Sequence, residues 1–192
     1  KLESVAPRTL WPDEALDFTP WLAANLDRLG EALGLDLELV TRESSVGAFS
    51  CDIEARETGT GRRIIIENQL ERTDHGHLGQ LITYAAGLDA SVIVWISPEV
   101  RDEHREAVDF LNRQTRDTVD FFAIELKVVR IGTSGPAVEF RLAASPNAWS
   151  KRQATGATVT ARGAQYQAYF QPVLDVLRTQ HRFTNAKAAQ PQ

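Results

Sequence analysis

Two acidic residues flank a glycine turn at positions where their side chains can meet. Asp52 lies on the apolar segment FSCDIEAR, and Glu67 follows a run of three isoleucines on the other side of the turn Gly-Thr-Gly. Both are equidistant from the pair 59–60, and residues equidistant from the centre of an antiparallel hairpin lie opposite each other. A symmetric hairpin therefore makes the two carboxylates cross-strand neighbours, with Cβ atoms roughly 5 Å apart.

Two close carboxylates predict a magnesium site, because a bound cation or a shared proton relieves their repulsion. Mg²⁺ takes oxygen ligands and keeps several waters, so Asp52 and Glu67 suit it, with the backbone carbonyl of Asn68 as third ligand. Gln69 projects from the same face of the strand as Glu67. A cation held there activates a water and neutralises charge on a phosphodiester. The alternative is that both acids are exposed strand ends without a ligand.

Polar residues after this hairpin are candidate contacts for nucleic acid, and they are Arg72, His75, His77 and Tyr84. A histidine can touch a phosphate or transfer a proton, and an arginine can contact phosphates without reading sequence. His77, Gln80 and Tyr84 share one helix face, which lines the site if it looks toward Glu67. If that face looks away, Tyr84 is ordinary packing. The other interpretation of the histidines and arginines is a solvated, solubilising surface.

The composition is that of an ordinary soluble protein. The chain has 192 residues, 43% of them hydrophobic and 24% charged, and a net charge of −5. The negative charge argues against bulk attraction to nucleic acid but leaves room for a local basic groove. No apolar run approaches the ~20 residues of a membrane helix, and the first residues given do not form a charged start followed by a hydrophobic region. We therefore expect a soluble, cytoplasmic protein without a membrane partner.

Hydrophobic periodicity predicts helices alternating with strands. Thr19 as N-cap and Pro20 begin a first helix, which carries leucines at helical spacing and ends at Gly34. Three strands are predicted next, at 35–40, 48–56 and 62–69, with a polar connection at 43–47 between the first two. A helix from Thr73–Asp74, a strand at 91–97 and a helix at 99–115 follow. The last two predicted strands are 119–132 and 137–144. This order predicts an α/β fold, a mixed sheet flanked by helices.

Composition also divides the chain into a domain over 1–145, a linker or loop over 146–165, and a C-terminal helix within 166–192. The helix has a strong apolar face, formed by Tyr166, Phe170, Val173, Leu174 and Leu177. A single amphipathic helix cannot bury that face alone. It packs on the first domain, on another copy in a homodimer, or on a second domain.

The central motif resembles a known family. The chain resembles the core of the PD-(D/E)XK nuclease superfamily, the restriction-endonuclease-like fold, in four features. They are Asp52, a glycine turn, an isoleucine strand with Glu67-Asn68-Gln69, and a helix with GQLITY. The resemblance spans roughly 20–96 and is strongest to the NucS-like branch. Residues 35–144 are also similar to bacterial proteins that carry ENQLExTDHxHLGQLxTYAAGLDA.

The resemblance implies a DNA endonuclease that uses Mg²⁺ or Mn²⁺, with RNA left open as a substrate. Asp52 and Glu67 match the metal-binding acids, and Gln80 matches a glutamine beside the active site. Gln69 stands where the family has lysine, as in E-x-Q variants, and would hold the attacking water. An amide donates a hydrogen bond but carries no charge. The alternative is therefore a catalytically inactive module of this fold that binds nucleic acid or a protein.

The family also has a further acid on its first helix. Glu14 and Asp17 lie just before that helix here, and the sequence assigns neither of them.

Overall fold

The computed structural model describes residues 1–46, 49–87, 90–115, 119–146, 168–172 and 176, with only the backbone described at 44–46 and 49. Its strands are β1 Leu2–Val5, β2 Leu37–Val46, β3 Phe49–Glu57, β4 Arg63–Asn68, β5 Val92–Ser97, β6 Asp120–Ile131 and β7 Ala137–Ala144. Its helices are α1 Thr19–Ala24, α2 Leu26–Leu33, α3 His75–Gly87 and α4 Asp102–Gln114.

The seven described strands form one mixed sheet. Strands β2, β3 and β4 are antiparallel, whereas β4, β5 and β6 are parallel. Strands β1 and β7 both pair with β6 in antiparallel fashion. The parallel neighbours are reached through α3 and α4, as parallel strands require crossover connections. The predicted mixed sheet flanked by helices is confirmed.

Each face of the sheet carries its own apolar layer, and β4 contributes to both. Ile64 and Ile66 pack with the leucines of α1 and α2, whereas Ile65 packs with Leu81 of α3 and Trp95 of β5. Burial of both faces explains why β4 reads as a continuous isoleucine run rather than as an alternating pattern.

The N-terminal region is more elaborate than predicted. A short strand, β1, precedes a π-helical turn at Glu14–Phe18, and Thr19 begins α1 rather than capping it. The predicted single helix is interrupted at Asn25, whose side chain donates to the carbonyl of Trp21 at 2.7 Å. The end at Gly34 is confirmed, since this residue adopts φ 63° and closes α2 in the left-handed conformation.

Strand β2 is longer than the sequence indicated. It runs to Val46, so the predicted polar connection over 43–47 is wrong at residues 43–46. Pairing with β3 holds these polar residues in the sheet, although a bulge lies between Leu39 and Thr41. The extension matters for the site, because it brings Glu43 alongside β3.

The C-terminal predictions lie mostly outside the described residues. The linker is described only up to residue 146, and of the expected helix only 168–172 and 176 are described, all of them helical. The division into domains and the role of this helix therefore stay predictions. No helix in the described part of the chain has the length and apolar character needed to cross a membrane.

Candidate functional site

The β3–β4 hairpin brings Asp52 and Glu67 together. Its ladder pairs Ile53 with Ile66, the register expected from the turn, and one further step aligns the two acids. The Asn68 N–H donates to Asp52 Oδ2 at 2.8 Å, and the Asp52 N–H donates to Glu67 Oε2 at 3.4 Å. Each carboxylate thus accepts a backbone hydrogen bond from the opposite strand, so the predicted register is confirmed.

The environment of the pair favours protonated carboxyls. Burial raises the pKa of Asp52 to about 6, although the backbone hydrogen bond from Asn68 lowers it in part. Burial and then the charge of Asp52 raise the pKa of Glu67 to about 8. The protons belong to the pair rather than to either residue. Near neutral pH the pair therefore retains a proton, which a bound cation can replace.

Glu14 is a third acid near this pair. Its Oε2 accepts the Leu70 N–H at 2.6 Å, and its charge raises the pKa of both Asp52 and Glu67. Asp17 instead accepts the Asp13 N–H at 2.9 Å and so closes its own turn. The position just before the first helix was the only sequence signal for Glu14.

Glu43 is a fourth acid, and it was missed because β2 was predicted too short. Strand β2 pairs Arg42 with Ile53, so the next step places Glu43 opposite Asp52. Its negative charge also raises the pKa of Asp52. Glu43 has φ 57°, a left-handed conformation unusual for a residue with a side chain.

These oxygen donors fit a hard cation held by few protein ligands. Within the described residues, no group of three or more histidines, cysteines, aspartates or glutamates is arranged to hold a metal ion. The close pair is Asp52 and Glu67, which suits an ion such as Mg²⁺ that completes its shell with water. The Asn68 side chain bonds the Thr19 hydroxyl at 3.0 Å, and its carbonyl as third ligand stays a prediction.

Gln69 is a structural residue in this arrangement. Its side chain is buried. The amide NH₂ donates to the Arg72 carbonyl at 2.8 Å and to Asp74 Oδ2 at 3.1 Å. The amide oxygen accepts the Trp95 indole N–H at 2.8 Å. Both amide protons are used, so none remains for a water. The predicted role of Gln69 in holding the attacking water does not fit these contacts.

Asp74 and His77 form a dyad at the start of α3. Asp74 caps the helix by accepting the His77 N–H at 3.0 Å, and its other oxygen contacts His77 Nδ1 at 2.7 Å. Burial would raise the pKa of Asp74, but the His77 hydrogen bonds and charge lower it to about 2. When it is protonated, His77 also lowers the pKa of Asp52 through its charge. His77 therefore acts on the acid pair, as expected if this helix face looks toward it.

Tyr84 lies on that same face but is fully buried, and its hydroxyl donates to the Ser50 carbonyl at 2.9 Å. Burial and the charge of Glu67 raise its pKa to about 12. A side chain without exposed surface cannot lie against nucleic acid, so this predicted contact is wrong. Gln80, its neighbour on the helix, keeps a buried Oε1 with no hydrogen-bond partner among the described residues.

The remaining predicted contacts lie in the loop before α3. Arg72 is exposed, as a phosphate contact must be. His75 is exposed too, but its Nδ1 lies 2.9 Å from Nε2 of the buried His104, whose Nδ1 lies 2.8 Å from the Thr73 hydroxyl. His75 thus lies at the exposed end of a polar cluster with His104 and Thr73. The sequence did not predict this cluster, because His104 lies on α4, far along the chain.

Comparisons with known proteins give partial matches only. No family model and no curated protein matches the sequence. A repair endonuclease from Pyrococcus abyssi matches at 13% identity over 56% of this chain and 45% of its own, with a TM-score of 0.44. An EndoMS–dsDNA complex matches at 15% identity over 56% and 43%, with a TM-score of 0.42. SfsA of Pyrococcus furiosus in complex with Ca²⁺ matches at 18% identity over 63% and 58%, with a TM-score of 0.37. The chain thus spans roughly half the length of these structures.

Proposed function

We propose that this chain is a Mg²⁺-dependent DNA endonuclease that hydrolyses phosphodiester bonds at the pair Asp52 and Glu67. The observation that carries the proposal is the meeting of a buried carboxylate, Glu67, with a half-buried one, Asp52, each accepting a backbone N–H from the opposite strand. A protein rarely keeps two acids so close unless a cation or a proton lies between them. The resemblance of the surrounding motif to the PD-(D/E)XK nucleases supports the same function.

The acids and their neighbours divide the work. Asp52 and Glu67 would hold the cation, Mg²⁺ or Mn²⁺, whose charge would lower the pKa of a water and offset negative charge on the phosphodiester. The Asn68 N–H fixes the orientation of Asp52, and the negative charge of Glu14 increases the attraction for the cation. Asp74 occupies His77 Nδ1, so Nε2 is the nitrogen left to contact a phosphate or to take a proton.

Cleavage of labelled DNA with Mg²⁺ or Mn²⁺ tests the proposal. We expect Asp52→Asn and Glu67→Gln to reduce the rate by at least about 100-fold, because each removes a negative ligand while keeping the shape of the side chain. Glu106→Gln, an exposed change on α4, is the matched control and should cut normally. Circular dichroism confirms that the variants fold. Parent protein that neither cuts DNA nor binds Mg²⁺ or Mn²⁺ by calorimetry contradicts the proposal.

The engagement of Gln69 favours a second candidate, an inactive module of the same fold that binds nucleic acid or a protein. Its amide has no proton free for a water, and no lysine stands in its place. Under this alternative, Asp52→Asn changes neither DNA binding nor any cleavage background. Measuring binding and cleavage on the same DNA separates the two functions, because only the endonuclease loses cleavage in that variant.

A further inference from the structure

A series of three hydrogen bonds runs from the sheet to the first turn of α3. The Trp95 indole N–H donates to Gln69 Oε1 at 2.8 Å, and the Gln69 amide donates to Asp74 Oδ2 at 3.1 Å. The same Oδ2 lies 2.7 Å from His77 Nδ1. Trp95 and Gln69 are buried, whereas the His77 side chain is 29% exposed. The series therefore begins in the core and ends at a histidine that solvent can reach.

The histidine end of this series lies over the face of the sheet to which Glu67 points. Successive side chains of a strand alternate between faces, so Ile65, Glu67 and Gln69 share one face. Ile65 packs with Leu81 of α3, the helix that covers this face. His77 belongs to the first turn of α3, which the series of hydrogen bonds ties to the end of β4. His77 and the acid pair are therefore neighbours, and the charge of a protonated His77 acts on the second acid of the pair.

Asp74 determines which nitrogen of His77 carries the proton. The pKa of Asp74 is lowered to about 2, so its carboxylate is ionised at neutral pH and can only accept hydrogen bonds. His77 Nδ1 must therefore donate across the 2.7 Å that separate the two atoms. In a neutral imidazole the other nitrogen then has a free lone pair. His77 Nε2 bonds no residue that the structure describes, so this lone pair is available to a water.

A water that attacks a phosphodiester must lose a proton, and the other groups of the site are poorly suited to take it. The acid pair cannot accept the proton while its oxygens bind a cation. Gln69 has no basic atom, and both of its amide protons are used by the Arg72 carbonyl and by Asp74. An imidazole nitrogen accepts a proton near neutral pH, and a carboxylate on the opposite nitrogen stabilises the resulting imidazolium.

We propose that His77 Nε2 accepts the proton of the attacking water and that Asp74 and Gln69 are positioning residues for this histidine. The inference rests on the proposed function and names the proton acceptor of that same site. As the water O–H bond breaks, its proton goes to Nε2 and its electron pair stays on the oxygen, which forms the new bond to phosphorus. The bond from phosphorus to the leaving sugar oxygen breaks, and that oxygen keeps the electron pair and takes a proton from solvent. His77 then returns its proton to solvent.

Steady-state cleavage of labelled DNA with Mn²⁺ tests the inference on the full chain. His77→Ala should lower kcat about 100-fold, the usual contribution of a general base, and should leave KM for DNA and the affinity for Mn²⁺ unchanged. Added imidazole should recover at least about ten-fold of the lost rate, because it supplies the missing base at a position that solvent reaches. A side chain that only supported the fold would not be replaced by a free base. Thr83→Ala, an exposed change on the same helix, is the control and should cut as the parent does.

Asp74→Asn tests the positioning role. An asparagine that keeps its oxygen on the His77 backbone N–H turns its NH₂ toward Nδ1, which moves the imidazole proton to Nε2 and removes the free lone pair. We expect kcat to fall at least about ten-fold, without recovery in imidazole because the histidine still occupies its place. Asparagine caps a helix as well as aspartate does, so the fold is retained. The matched control is Asp102→Asn, an exposed change at the start of α4 that should cut as the parent does.

The possible outcomes separate the inference from the proposed function. Cleavage by His77→Ala within about three-fold of the parent, or a loss that imidazole does not reduce, overturns the inference and leaves the endonuclease intact. The same holds if the loss lies in KM or in Mn²⁺ affinity instead of kcat, or if Asp74→Asn cuts as the parent does. Parent protein that does not cut DNA with Mn²⁺ overturns the proposed function, and the inference with it.

Discussion

Replacing Glu67 with glutamine should stabilise the metal-free protein at alkaline pH. Glu67 is only 4% exposed and lies against Asp52, so its ionised form loses hydration and meets a second negative charge. Glutamine has the same shape and stays neutral. Its oxygen can still accept the Asp52 N–H, and its NH₂ can donate toward the Asp52 carboxylate.

The pKa of Glu67 sets the size and the sign of the effect. Because its folded-state pKa is raised from 4.5 to about 8, folding is favoured by protonation, and this contribution is complete below pH 4.5 and lost as pH rises through about 8. At about 1.4 kcal/mol for each pH unit the difference is at most about 5 kcal/mol. Relaxation around the charge reduces it, and we expect a gain of about 2–4 kcal/mol for Glu67→Gln near pH 9.

Urea titrations in EDTA at pH values near 5, 7 and 9 measure this gain. The free energy of unfolding of the parent should fall between the first and the last condition, and the fall should be smaller in Glu67→Gln. Glu106→Gln, an exposed glutamate on α4, should keep the pH dependence of the parent. A parent protein that is equally stable near pH 5 and pH 9, or a Glu67→Gln variant that is no more stable near pH 9, refutes the account of a buried Glu67 that is repelled by Asp52.

Three further changes test the supporting contacts by urea or thermal unfolding. Gln69→Ala removes the acceptor of the Trp95 indole N–H and leaves a cavity, so it should cost about 2–4 kcal/mol, and a cost below about 1 kcal/mol contradicts the structural role. Asp74→Ala removes the cap of α3 and should cost about 1 kcal/mol at neutral pH. Because the pKa of Asp74 is lowered to about 2, its advantage over alanine should be complete above pH 3.8 and shrink as pH falls toward 2. Tyr84→Phe loses the hydrogen bond to the Ser50 carbonyl, and we expect a cost of about 1 kcal/mol, whereas an unchanged melting temperature shows that the bond contributes nothing net.

Local patterns were enough to predict the central hairpin. The tight turn determines which residues face each other, so the register that brings Asp52 to Glu67 followed from counting. Strand β4 was also predictable, because a strand buried on both faces has a continuous apolar run such as its three isoleucines. The helix end at Gly34 was predictable because glycine readily adopts the left-handed conformation that closes a helix. Strand β2 was predicted too short, because the second half of the strand is polar and lacks hydrophobic alternation. Its strand conformation depends on pairing with β3.

The roles of individual polar side chains depend on partners that are distant in sequence, and this is where prediction failed. Gln69 resembled a catalytic residue because it follows Glu67 by two positions, yet the indole of Trp95, 26 residues away, and the loop before α3 consume its hydrogen bonds. Glu14 reaches the acid pair through the N–H of Leu70, 56 residues away. The alternation of a strand predicts which face of the sheet a side chain occupies. It does not predict which hydrogen-bond donors and acceptors from other parts of the chain lie near that side chain.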